Sequence, residues 1–268
     1  MIKSRISIYT ALAVATAFPF AASGCDDLRA GPRGMVVAVV DGDTLVLDNQ
    51  AKVRLIGMQA PKLPLGRDGF EPWPLGDAAR DALSALALGK TVQLRYGGTE
   101  ADRHGRVLAH AFLENEDPIW LQQAMLEAGM ARVYSFADNR FCLDDLYAAE
   151  AVARRERRGI WGDPYYQIRF ADKPEMVLAR EGHYELVEGR ILQAEKAGSV
   201  FYLNFGRHWR EDFTVVIDKE AQKTFSASGV ALDALEGAHV RVRGWVDDRD
   251  GPRIAVTHPE QIELLVAR

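Results

Sequence analysis

Apolar positions along this chain fall into two textures. From Met35 to Met58, "MVVAVVDGDTLVLDNQAKVRLIGM" sets Val- and Leu-rich runs between Asp-Gly at 41 and 42 and Asp-Asn at 48 and 49, which predicts three strands joined by tight turns. "GDAARDALSALALGK" spaces Ala78, Leu83, Leu86 and Leu88 as a helix does and stops at Gly89. "KTVQLRYGG" and "RVLAHAFLE" return to strand character. "PIWLQQAMLEAGMARV" predicts a helix opened by Pro118 and closed at Gly129, and a longer one runs from Leu143 to Arg158, ended by Gly159 with Pro164 beyond. The pattern is lost through "YYQIRFADKPEMVLAREGH". After His183 short strands and turn signals take over, with helical-looking "VALDALEG" before the fourth strand.

These textures divide the chain into an α+β domain at 35–162, a linker at 163–182 and a small all-β domain at 183–268. Short strands with one helical insertion resemble an OB-like barrel, the five-stranded Greek key used by nucleic-acid and sugar binders. Ahead of the first strand, Lys3 and Arg5 precede an apolar run from Ile6 to about Ala22 and then "AASGC", so 1–24 reads as a lipoprotein-type signal peptide. Cys25 would then be the lipidated first residue, with 25–34 a polar tether. The expected location is the periplasmic or envelope side, held to the membrane through that lipid. Cys142 is expected as a buried unpaired thiol.

Composition is globular, with 48% hydrophobic and 26% charged residues, and the formal net charge is -5. No overall positive field draws in nucleic acid, and loss of the leader removes two cations and no acid. Polyanion binding therefore needs a local cluster. The six histidines are scattered, without zinc-ligand spacing. Arg154, Arg155, Arg157 and Arg158 read as a solvated last helical turn. In "SVFYLNFGRHWREDF", the aromatics Phe201, Tyr202, Phe205, Trp209 and Phe213 alternate with bases, and alternation places about half inside the barrel.

Five pieces, "VDGDTL", "RLIGMQAP", "DRHGRVLAH", "LQQAMLEAGMARVY" and "AAEAVARRERRGIW", occur in order between Met35 and Trp161. Together they resemble the staphylococcal-nuclease (thermonuclease) family, which implies an OB-type β-barrel with helices and hydrolysis of DNA or RNA with Ca2+. Such chemistry needs hard oxygen ligands, a base for water and guanidinium groups for the charge of the transition state. By that resemblance Asp43 is a calcium aspartate, and Arg54 and Arg106 are the phosphate arginines. Gln59 occupies the second calcium aspartate's place and Lys62 that of the catalytic glutamate.

A cation for an anion at position 62 turns attraction of Ca2+ into repulsion of about 4 kcal/mol per unit charge at about 4 Å. Calcium remains a weakened expectation, and no other cofactor is expected. Arg54, Arg106 and Lys62 opposed by Asp43 would form a cationic pocket for a phosphodiester or another anion, unless the arginines pair with Asp43 and Asp102 as structural bridges. The expectation is thus an anchored binder of nucleic acid or another anion, with weak or absent calcium-dependent cleavage. An active nuclease drawing a substitute acid such as Glu71 or Asp77 from the 63–77 loop is one alternative; a non-catalytic protein-interaction module without a predicted partner is another. Phe70 and Trp73 of that loop would stack on bases or plug the junction between domains.

Overall fold

In the computed structural model, which describes residues 25–265 apart from Trp209, the first strand does the work of two. Strand β1 (Arg29–Asp41) pairs with β5 (Thr91–Tyr96) through its first half and with β2 (Thr44–Leu47) through its second. Register shifts along it provide the bend. Strands β3 (Lys52–Leu55), β4 (Gly57–Gln59) and helix α1 (Gly76–Ala87) follow, and after β5 come β6 (Val107–Leu113) and the short β7 (Ile119–Trp120). The sheet order β3-β2-β1-β5-β6-β7 closes into a barrel because β3 also pairs in parallel with β6. Alternation then aims Leu45, Leu47, Val53, Leu55, Val92, Leu94 and Ala109 into a dry interior.

Helix α2 (Leu121–Glu127), strand β8 (Arg132–Tyr134) and helix α3 (Leu143–Arg155) pack beside the barrel, β8 pairing with β4. Helix α2 starts three residues after Pro118 because Ile119 and Trp120 extend the β6 ladder instead. At the far end of α3, Arg154 pairs with Glu150 at 2.6 Å, while Arg155 and Arg157 are solvent-exposed. Gly42, in the β1–β2 turn, has no room for a side chain: a Cβ there would lie 2.6 Å from the Cβ of Ala60 and 2.7 Å from that of Ala79. That contact presses the turn against the start of α1.

Neither connecting segment is irregular. The expected tether supplies the start of β1, where Arg29 pairs with Tyr96 and Ala30 with Arg95 across the ladder. In the expected linker, β9 (Arg169–Phe170) joins the second sheet in parallel with β10, and α4 (Pro174–Leu178) packs beside it. Both segments give their backbone groups ladder or helix partners, which a packed surface demands.

The second barrel repeats the first. Its leading strand is divided into β10 (Tyr184–Arg190) and β11 (Gln193–Ala197), followed by β12 (Val200–Asn204), β13 (Thr214–Ile217), α5 (Lys219–Ala227), β14 (His239–Asp248), β15 (Pro252–Ala255) and β16 (Ile262–Leu264). The order β11-β12-β13-β15-β14-β10, with β13 and β15 parallel, is the connectivity of the first barrel, and in both a helix precedes the fourth strand. That helix is α5, capped by Asp218 accepting from the amide of Ala221 at 2.8 Å; "VALDALEG" forms only a 3-10 turn at Asp233–Leu235. Phe205 and Phe213 are buried against each other, Phe201 is half-buried against the core, and Tyr202 lies on the outer face; Trp209 lies outside the described residues.

The barrels meet across a polar seam whose centre is fully covered. Arg243 of β14 donates to both carboxylate oxygens of Glu150 on α3, at 3.0 and 3.1 Å, and to the carbonyl of Val133 at 3.1 Å. Arg243 and Glu150 are both completely buried. Ser135 and His258 lie 2.6 Å apart across the same seam, and Arg140 forks onto Glu260.

The cysteines correct one expectation. Cys142 is not an unpaired thiol: it forms a disulfide with Cys25, with the Cα atoms 5.0 Å apart. A sulfur in that bond is not available for a thioether, so lipid on Cys25 and this bond exclude one another. The leader at 1–24 lies outside the described residues.

Candidate phosphodiester site

The tight turn after β1 places two buried carboxylates on either side of Gly42. Asp41 accepts from the amide of Asp43 at 3.1 Å, which fixes the turn. Asp43, 1% exposed, accepts on one oxygen from the amide of Ala60 at 2.9 Å and the Nζ of Lys62 at 2.9 Å, and a guanidinium nitrogen of Arg54 forms an ion pair with the same oxygen at 3.3 Å. Its other oxygen accepts from the hydroxyl of Thr44 at 3.3 Å. Burial alone would raise the Asp43 carboxyl, but Arg54 and Lys62 outweigh it and hold the group far below the usual carboxylate range.

Asp41 titrates the other way. Burial first, and the charge of Asp43 second, push it above its ordinary value against the pull of Lys62 and Arg54. Two carboxylates therefore face Arg54 and Lys62, and the pocket is charge-balanced where Asp43 was expected to stand alone. Asp41 was legible in the motif, two residues before Asp43 in the same turn.

Arg54 lies on β3, opposite Thr44 on one side and Leu108 on the other. Its guanidinium donates to the carbonyls of Met58, at 2.7 Å, and Leu55 as well as reaching Asp43. This side chain is 6% exposed and is bound into the chain bend leading to β4. Arg106, in the connection just before the neighbouring strand β6, donates from Nε to Asp102 at 2.7 Å. Burial works against the Asp102 charge, but hydrogen bonds from Arg106 and from the amide of His104 overcome it and lower its pKa. Both arginines thus hold the carboxylates that the structural reading assigned them; Arg106, the more exposed of the two, is the one open to an anion.

Gln59 faces a different partner. Its carbonyl oxygen accepts from Arg132 at 3.0 and 3.3 Å, and Arg132 is enclosed by the rings of Trp73, Tyr166 and Tyr184, 5.6, 5.7 and 4.8 Å from its guanidinium carbon. Burial pulls the Arg132 pKa down, partly offset by Glu185. The sequence offered no signal for Arg132 beyond its place in the fourth motif piece.

The loop between Lys62 and α1 is pinned at its base, where the amide of Trp73 donates to the carbonyl of Lys62 at 2.9 Å. Trp73 is buried among Ile160, Tyr166 and partly covered Phe70, near His183, so it plugs the junction. Arg67 lies over the ring of Phe70 at 3.8 Å. Of the loop acids, Asp77 pairs with Arg80 at 3.0 Å, one helical turn on, and Asp68 and Glu71 are exposed.

A divalent cation does not fit this set. One oxygen of Asp43 already holds an ammonium, and the Gln59 carbonyl is committed to a guanidinium. Among the described residues no group of three or more His, Cys, Asp or Glu side chains could hold a metal ion.

Comparison with known proteins matches residues 52–163 to the family model "Staphylococcal nuclease homologue". The micrococcal nuclease of Shigella flexneri is 30% identical over 174 residues, covering 62% of this chain and 91% of that protein. The thermonuclease of Staphylococcus hyicus is 28% identical over 131 residues, 48% of this chain and 75% of the relative. Endonuclease YhcR of Bacillus subtilis is 28% identical over 149 residues, 51% of this chain but only 12% of its own length.

Proposed function

The chain belongs to the staphylococcal nuclease family, and on that premise we propose that it binds a phosphodiester or nucleic acid with calcium-dependent cleavage weak or absent. One observation carries this reading: Lys62, at the place the resemblance gives to the catalytic glutamate, rests its Nζ 2.9 Å from Asp43. An internal ammonium supplies the positive charge that the buried carboxylate needs. A side chain engaged with Asp43 in this way is not free to serve as the base for an attacking water. Arg106 and the outer part of Lys62 are cations open to a backbone phosphate, so binding should weaken as salt rises.

The proposal extends to location. A location outside the cytoplasm is supported by the signal-like character of 1–24 in the sequence and by the Cys25–Cys142 bond, which suits an oxidising compartment. Whether Cys25 carries lipid instead is read from the mass of its tryptic peptide, since the two states differ by the bulk of the acyl chains.

The deciding experiment incubates purified protein with labelled single- and double-stranded DNA and RNA in Ca2+, in Mg2+ and in chelator, beside the double variant Gln59→Asp, Lys62→Glu. The natural protein should bind without cutting, and the double variant should cut with calcium. Robust calcium-dependent digestion by the natural protein, lost on Arg106→Ala, would sink the proposal and move the search to the loop acids. No binding of either nucleic acid at low salt would leave the barrels as protein-interaction modules.

A further inference from the structure

The second barrel has a cleft of its own, with a volume of about 350 Å³, on the outer face of β11, β12, β13 and β15 beneath the β14–β15 turn. This size is within the range of small-ligand sites, roughly 300–1,000 Å³. Its lining follows from strand alternation. Leu203, Val215 and Ile254 point inward and are completely buried, so their neighbours point outward. Two rows cross the sheet: Glu195, Tyr202 and Val216 in one, and Asn204, Thr214 and Arg253 in the other. Topologically the cleft matches the site of the first barrel. There the β1–β2 turn carries Asp43, β3 carries Arg54 and the β5–β6 connection carries Arg106; here the corresponding elements are the β11–β12 turn, β13 and the β14–β15 turn.

The chemistry differs from that of the first site. Asn204, 6% exposed, donates to Glu195 at 3.2 Å and accepts from the Thr214 hydroxyl at 3.3 Å, giving a continuous line of amide, carboxylate and hydroxyl along the floor. Arg253 is committed to Asp247, donating from Nη2 to its carboxylate at 2.9 Å. Among the lining residues Glu195 and Asp250 balance Arg249 and Arg253, and Arg253 is itself paired with Asp247, so a chain of phosphates meets no net attractive field. A neutral sugar chain is the better match: its hydroxyls both donate and accept, and its apolar ring faces lie well on an aromatic side chain such as Tyr202.

We propose that the cleft formed by Glu195, Tyr202, Asn204, Thr214 and Arg253 on the second barrel is a binding site for a neutral oligosaccharide. The protein would then carry two ligand faces of one topology, an anion site on the first barrel and a glycan site on the second.

Purified protein is titrated with chitotetraose, cellotetraose and maltotetraose, and separately with a ten-nucleotide oligothymidylate, by calorimetry and by amide shifts in 15N spectra. At least one of the three sugars should bind with a sub-millimolar Kd and move the amides of β12, β13 and the β14–β15 turn. Tyr202→Ala and Glu195→Gln should each weaken that sugar about tenfold while the thermal midpoint stays in place. The exposed Arg249→Ala serves as a third variant should the Tyr202 change disturb folding. Failure of all three sugars to bind at millimolar concentration overturns the proposal. So does binding indifferent to all three substitutions, or salt-dependent binding of the oligothymidylate to these same amides with the sugars silent.

Discussion

Lys62 Nζ lies 2.9 Å from Asp43 Oδ2, so the carboxylate at the centre of the first barrel's site is neutralised by a side chain nineteen positions further along the same chain. The pair is held open to solvent on the lysine side, which is 24% exposed, and closed on the aspartate side. Lys62→Ala should therefore cost about 1–2 kcal/mol, below the 3–5 of a fully buried pair, because Arg54 and the Ala60 amide still serve Asp43 and solvent screens the exposed end. Urea unfolding measures it; an unchanged midpoint would mean that the ammonium contributes nothing to the native state.

The two departures from the nuclease pattern should not behave alike. Gln59 is turned to Arg132, so Gln59→Asp by itself should form an ion pair there and leave calcium affinity where it was. Lys62→Glu removes a repulsion and adds a ligand, and should produce measurable calcium binding in calorimetry. If Gln59→Asp alone binds calcium as tightly as the double variant, the assignment of Gln59 to the aromatic enclosure of Arg132 is wrong.

Arg243 and Glu150 join the barrels with both charges fully out of water. Burial acting alone would lower the Arg243 pKa and raise that of Glu150; their mutual attraction reverses both. Arg243→Met should destabilise by about 3–5 kcal/mol, since it leaves Glu150 buried with only Arg154 as its cation. The natural protein should unfold in one transition and the variant in two. A single unshifted transition in the variant would show that the seam is not energetically shared.

Two histidines set a pH dependence. Burial pushes His110 down to about 3 and His258 to about 4, from an ordinary value of 6.5. The folded protein therefore keeps both neutral while the unfolded chain takes up protons below about pH 6.5, so stability is full above that pH and falls as pH drops from 6.5 toward 4, by at most about 1.4 kcal/mol per pH unit for each histidine. Urea midpoints at pH 8, 6.5 and 5 test the sign, and His110→Phe should flatten the slope by one group. A midpoint that rises on acidification would contradict the burial of both rings.

The disulfide spans 117 positions, and closing so long a loop in the unfolded chain is worth up to about 4–5 kcal/mol in the chain-entropy account. Reduction, or Cys142→Ser, should lower the thermal midpoint of unlipidated protein. Protein isolated with lipid on Cys25 should show no response to reductant, because its Cys142 has no partner among the described residues.

The order of strands and helices in the first domain and the barrel character of the second were written in local pattern, because turns and alternation act over a few residues, while the places of Asp43, Arg54, Arg106, Gln59 and Lys62 came from the resemblance that the motif pieces carry. Even Asp41 stood in plain sight inside the Asp-Gly-Asp turn. Partner choice was another matter. That Lys62 reaches Asp43, that Gln59 turns to Arg132, that Arg243 finds Glu150 93 positions away and Cys25 finds Cys142 all depend on how the elements dock. A buried charge must be paired wherever the docking leaves it, and the docking is decided by the sum of many long-range contacts. Sequence determined which groups the site owns; tertiary structure alone decided which of them are already occupied by each other.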